Sequence, residues 1–201
     1  MRRSIAASAA LACWAGLAHA QYTMDWYWEV SDTGNGDGIV EPGENALLVL
    51  LARTDGPPPV YYCASAFEII GTAGWSGGTL VVADGNDTLG QMTNEDGVPQ
   101  ANNDILEIDT FQLPRFLNPQ FWDGNPTAIY WIEWAPDGYS PRTVSGTSAN
   151  HLSHTLYIDD FGSSVEATPT IEGFSFEVVP APGTLMPAAA LGALALRRRR
   201  R

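Results

Sequence analysis

The sequence predicts an all-β protein, a single β-sandwich or jelly-roll domain flanked by an N-terminal signal helix and a short C-terminal apolar helix. Three observations carry that prediction. Short apolar runs alternate with polar residues at the period of two that a strand imposes. Clusters of turn formers separate these runs, drawn from a total of 20 Gly and 14 Pro plus many Asn and Asp. No part of the body repeats apolar residues at the helical period between capping residues.

Taken in order, Trp26, Trp28 and Val30 alternate with Tyr27 and Glu29, and read as the first strand. Residues 46–51 form a continuous apolar run suited to a strand buried on both faces. Phe67 and Ile69 flank Glu68 in the same alternating way. Residues 128–134 and 154–158 are rich in aromatic and branched side chains, and Phe174, Phe176 and Val178 alternate with Ser175 and Glu177. Turns are predicted at 33–38, 55–59, 71–78, 84–90, 94–103, 136–141 and 145–150, where Gly, Pro, Asn and Asp supply the special backbone angles. There is no internal repeat, and one domain suffices for this length.

The two ends read as processing signals. Met1-Arg2-Arg3 is basic, residues 5–17 are apolar, and Ala18-His19-Ala20 is an A-x-A cleavage site before Gln21. A lipid-anchored reading through Cys13 would put Ala10 where a larger aliphatic residue is expected and leave the A-x-A site without a purpose. The expected organisation is a signal peptide at 1–20, an acidic β-sandwich at 21–179 and a tail at 180–201, with export through Sec-type machinery.

Charge sets the partners. The chain's formal charge is −13, but of its ten arginines only Arg53, Arg115 and Arg142 lie in the body, against 23 acidic residues, so the body carries −20. Such a surface repels nucleic acid and anionic headgroups, which excludes nucleic acid as a partner. It suits salty surroundings or divalent cations, and plain surface solvation is the simpler explanation. The lack of lysine removes Schiff-base chemistry and the phosphate-binding loop. Cys63 is the one cysteine left after the signal and sits in an apolar run, so it reads as a small buried hydrophobe and no internal disulfide is expected.

The most chemical stretch is the Gly-rich acidic loop at 32–44. Asp32, Asn35, Asp37, Glu41 and Glu44 supply the oxygen ligands that calcium takes, six to eight at a time. Thr33 stands where an EF-hand frame starts with Asp, a strand precedes the loop, and Pro42 interrupts any following helix, so the loop is not an EF-hand. Two readings stay open: an irregular calcium loop, with calcium the one cofactor the sequence nominates, or a turn leading through Pro42-Gly43-Glu44 into the next strand.

His151 and His154, with Asp159 and Asp160, are ligand types that suit zinc, but no helical zincin motif surrounds them and they read as surface loop residues. No Gly-x-Ser-x-Gly elbow appears, and nothing singles out a pair of catalytic carboxylates. An enzyme is not expected. Trp26, Trp28, Trp75, Trp122, Trp131 and Trp134 would stack on sugar rings if exposed and form the core if buried.

The tail reads Pro180-Ala181-Pro182-Gly183, then 13 residues of apolar character at 184–196, then Arg197, Arg198, Arg199, Arg200 and Arg201. The apolar run is shorter than the roughly 20 residues of a relaxed transmembrane helix, but long arginine side chains reach the interface and hold the basic end on the cytoplasmic side. These features resemble the tails of PEP-CTERM proteins, with Pro-Ala-Pro standing where the family's type motif has Pro-Glu-Pro. The body, with its Asp-rich loop and Tyr139-Ser140-Pro141-Arg142, is similar to uncharacterised members of such families. The resemblance implies a transient stay in the inner membrane, recognition by an exosortase-type transpeptidase, removal of the tail, and delivery to the cell surface or an extracellular polysaccharide matrix. The function expected is a non-enzymatic structural or adhesive role there. The alternatives are a calcium-dependent carbohydrate-binding module and a secreted hydrolase.

Overall fold

A computed structural model describes residues 22–57, 60–86, 96–117 and 123–180. The signal at 1–20 and all of the tail beyond Pro180, with its arginines, lie outside them. Among the described residues twelve strands are formed, in chain order β1 (Thr23–Asp32), β2 (Ile39–Val40), β3 (Ala46–Asp55), β4 (Tyr61–Ala73), β5 (Gly78–Gly85), β6 (Val98–Pro99), β7 (Ile105–Phe111), β8 (Thr127–Pro136), β9 (Arg142–Tyr157), β10 (Ser164–Glu166), β11 (Pro169–Ile171) and β12 (Phe174–Val178). One sheet runs β11-β1-β3-β8-β5. The other runs β2-β12-β9-β4-β7-β6, with β10 also paired to β9. Pairing is antiparallel except where β11 lies along β1 and β2 along β12.

This is the all-β sandwich that the alternation predicts, and its core is where the alternation points. Met24 and Trp26 of β1, Leu48 and Leu50 of β3, and Phe174, Phe176 and Val178 of β12 are all buried. The apolar run at 46–51 lies in β3, a central strand between β1 and β8. The two sheets meet through aromatic side chains. Trp26 meets Phe67 edge-on at 4.8 Å between centroids, and Trp134 meets Phe176 at 5.4 Å. Edge-to-face pairs of this kind add about 0.5–1.5 kcal/mol beyond the area they bury.

Expectations about local structure are corrected at 145–150 and 71–78, and also at 84–90 and 94–103, where Asp84 and Gly85 end β5 and Val98 and Pro99 form β6. The Gly, Ser and Asn cluster at 145–150 is not a turn but the middle of the long β9. Gly146 is needed there because a Cβ would meet the Phe174 ring at 2.4 Å and the Ile70 carbonyl at 2.8 Å. Small residues mark a close approach in this strand, not a reversal. The cluster at 71–78 likewise loses its first residues to β4, which runs to Ala73 before the chain turns. The turns at 33–38 and 136–141 form as expected. Cys63 is a free, buried thiol whose pKa is pushed up by burial, as its apolar setting implied.

Candidate functional site

The acidic loop leaves the end of β1 and is organised around one carboxylate. Asp32, only 5 % exposed, accepts N–H bonds from Gly34 at 2.8 Å and Gly36 at 3.0 Å on Oδ1, and from Gly38 at 2.9 Å on Oδ2. Gly36 and Gly38 have φ of 79° and 78°, the left-handed region in which glycine carries no Cβ penalty. The N–H of Gly36 is the main reason the Asp32 pKa is lowered, with Gly38, Gly34 and Asn35 adding to it against the opposing effect of burial.

The other predicted ligands are also turned onto the loop. Asp37 accepts from the Ile39 N–H at 2.8 Å and from Asn35 Nδ2 at 3.0 Å. Glu44 accepts from the Glu41 N–H at 3.0 Å. Tyr139, in the turn before β9, accepts from the Gly43 N–H at 2.8 Å and ties the two turns together. Among the described residues, no group of three or more His, Cys, Asp or Glu is placed to hold a metal ion. Asp32, Asn35, Asp37 and Glu44 thus hold amide groups of the turn itself, while Glu41 contributes its backbone N–H. Asp32→Ala is expected to lower stability by about 1–2 kcal/mol, because water replaces the lost acceptor only in part. Urea denaturation of the two proteins side by side checks this, and an unchanged midpoint would remove Asp32 from the role.

The tryptophans resolve the other open choice. Trp26, Trp75 and Trp134 are buried, Trp28 packs against the core beside Phe174 at 5.1 Å, and Trp131 is half-buried. Trp122 lies outside the described residues. Trp75 and Trp134 stack at 6.0 Å, and Arg142 lies over Trp134 while its guanidinium donates to the carbonyls of Gly138 and Gly77 at 2.7 Å each.

The histidines are not in a surface loop. Both lie in β9, and His154 is 6 % exposed. The reason is a bulge. Ala66 pairs with Ser153 and Glu68 with Ala149, so Phe67 alone faces Asn150, His151 and Leu152. Asn150 takes a φ of 49° and Leu152 is thrown outward to 86 % exposure. Residues 151 and 154, an odd number apart, would point to opposite faces of an unbroken strand. Here both turn inward onto Trp26, whose ring meets His151 at 5.1 Å and His154 at 4.9 Å. The imidazole centroids are 4.7 Å apart.

Burial, and then the neighbouring His151, lowers the pKa of His154 to about 4. Burial lowers that of His151 too. The Ser148 carbonyl opposes this weakly, from a position short of full hydrogen-bond geometry. Asp159 and Asp160 do not join the pair. Asp159 accepts from the Phe161 and Ser163 N–H groups of its own turn, and Asp160 pairs with Arg115 at 3.8 Å.

The two imidazoles stand beside a cavity of about 540 Å³, also lined by Tyr22, Glu166, Ala167, Thr168, Pro169 and Ile171. A second cavity, of about 310 Å³, is lined by residues of β1, β3 and β11 and by Glu172, and its two acids, Asp25 and Glu172, are accompanied by the Arg53 guanidinium. Nothing in the sequence pattern marked the first cavity, because the bulge that builds it depends on how β9 registers against β4.

This architecture is found elsewhere. The chain is similar in fold to the seventh ScaB type I cohesin from Pseudobacteroides cellulosolvens, with a TM-score of 0.59 over 81 % of this chain and 96 % of that one, at 10 % identity. A cohesin module from a Clostridium perfringens family 33 glycoside hydrolase aligns over 79 % of this chain and 98 % of that one at 11 % identity, with a TM-score of 0.49. No family model and no curated protein sequence matches the chain. The molecule thus shares the jelly-roll sandwich of a cohesin at the level of fold.

Proposed function

We propose that this chain is an exported, non-enzymatic module of the cell surface or extracellular matrix, with a structural or adhesive role, delivered by a C-terminal tail that an exosortase-type enzyme removes. The observation that carries the structural reading is the burial of Trp26, Trp75 and Trp134 with the aromatic residues of both sheets. Those three indoles lie in the core and are closed to a sugar ring, which favours a structural module over a carbohydrate-binding one. The fold shared with a cohesin is consistent with such a module. The acidic body suits a protein kept soluble and apart from anionic surfaces outside the cell.

The sorting half of the reading rests on the Pro180-Ala181-Pro182-Gly183 motif, the apolar run and the five arginines. Intact mass of the protein recovered from its native cell envelope tests it. The expected mass begins at Gln21 and ends near Pro180. A mass that retains residues 184–201 would defeat sorting and leave a tethered protein, and one that retains residues 1–20 would defeat export.

A further inference from the structure

The cavity beside Arg53 opens on the outer side of the β1 sheet, where Asp25 and Arg53 are exposed while Trp26 and Ala52 next to them point into the core. We propose that this cavity binds a basic amino acid, a small molecule with one carboxylate and two ammonium groups, through Arg53, Asp25 and Glu172. The assignment goes beyond the surface-module reading and does not depend on it.

The sheet register sets these groups side by side. Asp25 lies directly opposite Arg53 of β3 on one flank and Thr170 of β11 on the other. Glu172 follows β11 and is fixed by its N–H, which donates to the Trp26 carbonyl at 2.8 Å. All four side chains border the cavity, whose volume of about 310 Å³ lies near the lower end of the roughly 300–1,000 Å³ that small-molecule sites occupy.

Opposite charges facing each other on neighbouring strands ordinarily close into a pair. Here they do not meet. Among the described residues both ion pairs are made by Arg115. The Arg53 guanidinium lies over the Tyr27 ring, 5.0 Å from its centroid, and reaches the Tyr27 hydroxyl at 3.4 Å. Stacking on an aromatic ring holds the planar fork in place and leaves N–H donors that a carboxylate takes two at a time. The guanidinium and the two acids thus line one space without neutralising each other.

That charge pattern selects the ligand. Two carboxylates against one guanidinium leave a formal −1 at the cavity, on a body of −20. A plain carboxylate ligand would be repelled by both acids, and a plain diamine would leave Arg53 without a partner. One carboxylate for Arg53 and an ammonium group each for Asp25 and Glu172 match all three charges and bring the +1 that the cavity lacks.

The test titrates the full chain at low ionic strength with three probes and follows its backbone amides by ¹H–¹⁵N NMR. The probes are L-lysine, cadaverine (lysine without its carboxylate) and L-norleucine (lysine without its second amine). L-Lysine should shift the Asp25, Arg53 and Thr170 amides to saturation, while those of Gly34 and Gly36 in the acidic turn stay in place. Cadaverine and norleucine should each bind at least about tenfold more weakly, one charge-assisted contact being lost in each case. Arg53→Gln should abolish the preference for lysine over cadaverine, and Glu172→Gln should reduce that over norleucine. The wild-type probe series decides the matter even if a variant fails to fold. The site is overturned if the cavity amides do not shift with lysine, if cadaverine binds as tightly as lysine (acids gathering counter-ions only), or if the acidic turn shifts equally.

Discussion

Replacing Trp26 with alanine is expected to destabilise the fold by about 3–5 kcal/mol, the range for deleting a large aromatic side chain from a core that cannot collapse around the void. Trp26 is fully buried, donates its Nε1–H to the Met24 sulfur at 2.8 Å, and meets Phe67, His151 and His154 edge-on. It is thus the residue through which β1 of one sheet grips β4 and β9 of the other. A domain of this size loses roughly 2–4 °C of Tm per kcal/mol, so a fall on the order of 10 °C should appear in calorimetry. Trp26→Phe keeps part of the volume and most of the edge contacts and should lose less than half as much. A Trp26→Ala protein that melts within a degree or two of wild type would mean that the sheets are held together elsewhere.

Much of this fold is legible in the chain because solvent exposure alternates wherever a strand has one wet face. Residues 26–30 and 174–178 announce their inward sides: β12 buries Phe174, Phe176 and Val178, and β1 buries Trp26 while Trp28 and Val30 pack half-buried against the core. The failures come where a strand departs from that condition. Residues 145–150 look like a turn because they are small and polar, yet β9 there is flanked by β4 and β12, and Gly146 must let the Phe174 ring and the Ile70 carbonyl approach. Composition reports a need for small volume in the same letters it uses for a reversal. Residues 78–85 and 105–111 carried no distinct signal either, and form β5 and β7 as partners of stronger strands.

The candidate site was less legible than the fold for a related reason. Acidic residues spaced along a glycine loop look the same whether their oxygens will meet a cation or the loop's own N–H groups. The deciding quantity is the direction of the Gly34, Gly36 and Gly38 amides, which converge on Asp32. The two histidines read as surface loop residues because no helical metal-binding motif surrounds them, and in a regular strand a spacing of three divides them between faces. Their convergence follows from three residues of β9 standing opposite Phe67, a matter of register between segments more than 80 positions apart in the chain. Only tertiary pairing places that bulge.

Acid should open the structure at this same point. Stability is expected to fall by about 2–3 kcal/mol between pH 6.5 and pH 4, before most carboxylates protonate. The sign follows from the folded pKa of His154 being depressed from the 6.5 of a free imidazole to about 4. Above 6.5 the ring is neutral in both states and its burial costs nothing extra. Between the two values the unfolded chain takes up a proton that the folded one refuses, so the unfolded state gains with each step down in pH. Desolvation is the main cause, with the partner imidazole next, and Tyr22 and Glu166 are the titratable groups across the cavity. A His154→Gln protein should therefore lose stability less steeply over this window, by close to one proton's worth of slope, while the steeper loss at lower pH that comes from Asp32 and other carboxylates persists. Urea midpoints at half-unit steps of pH, for wild type and variant, measure the difference directly. Parallel curves would mean that His154 titrates freely in the folded protein, and that the β9 bulge does not seal it from water.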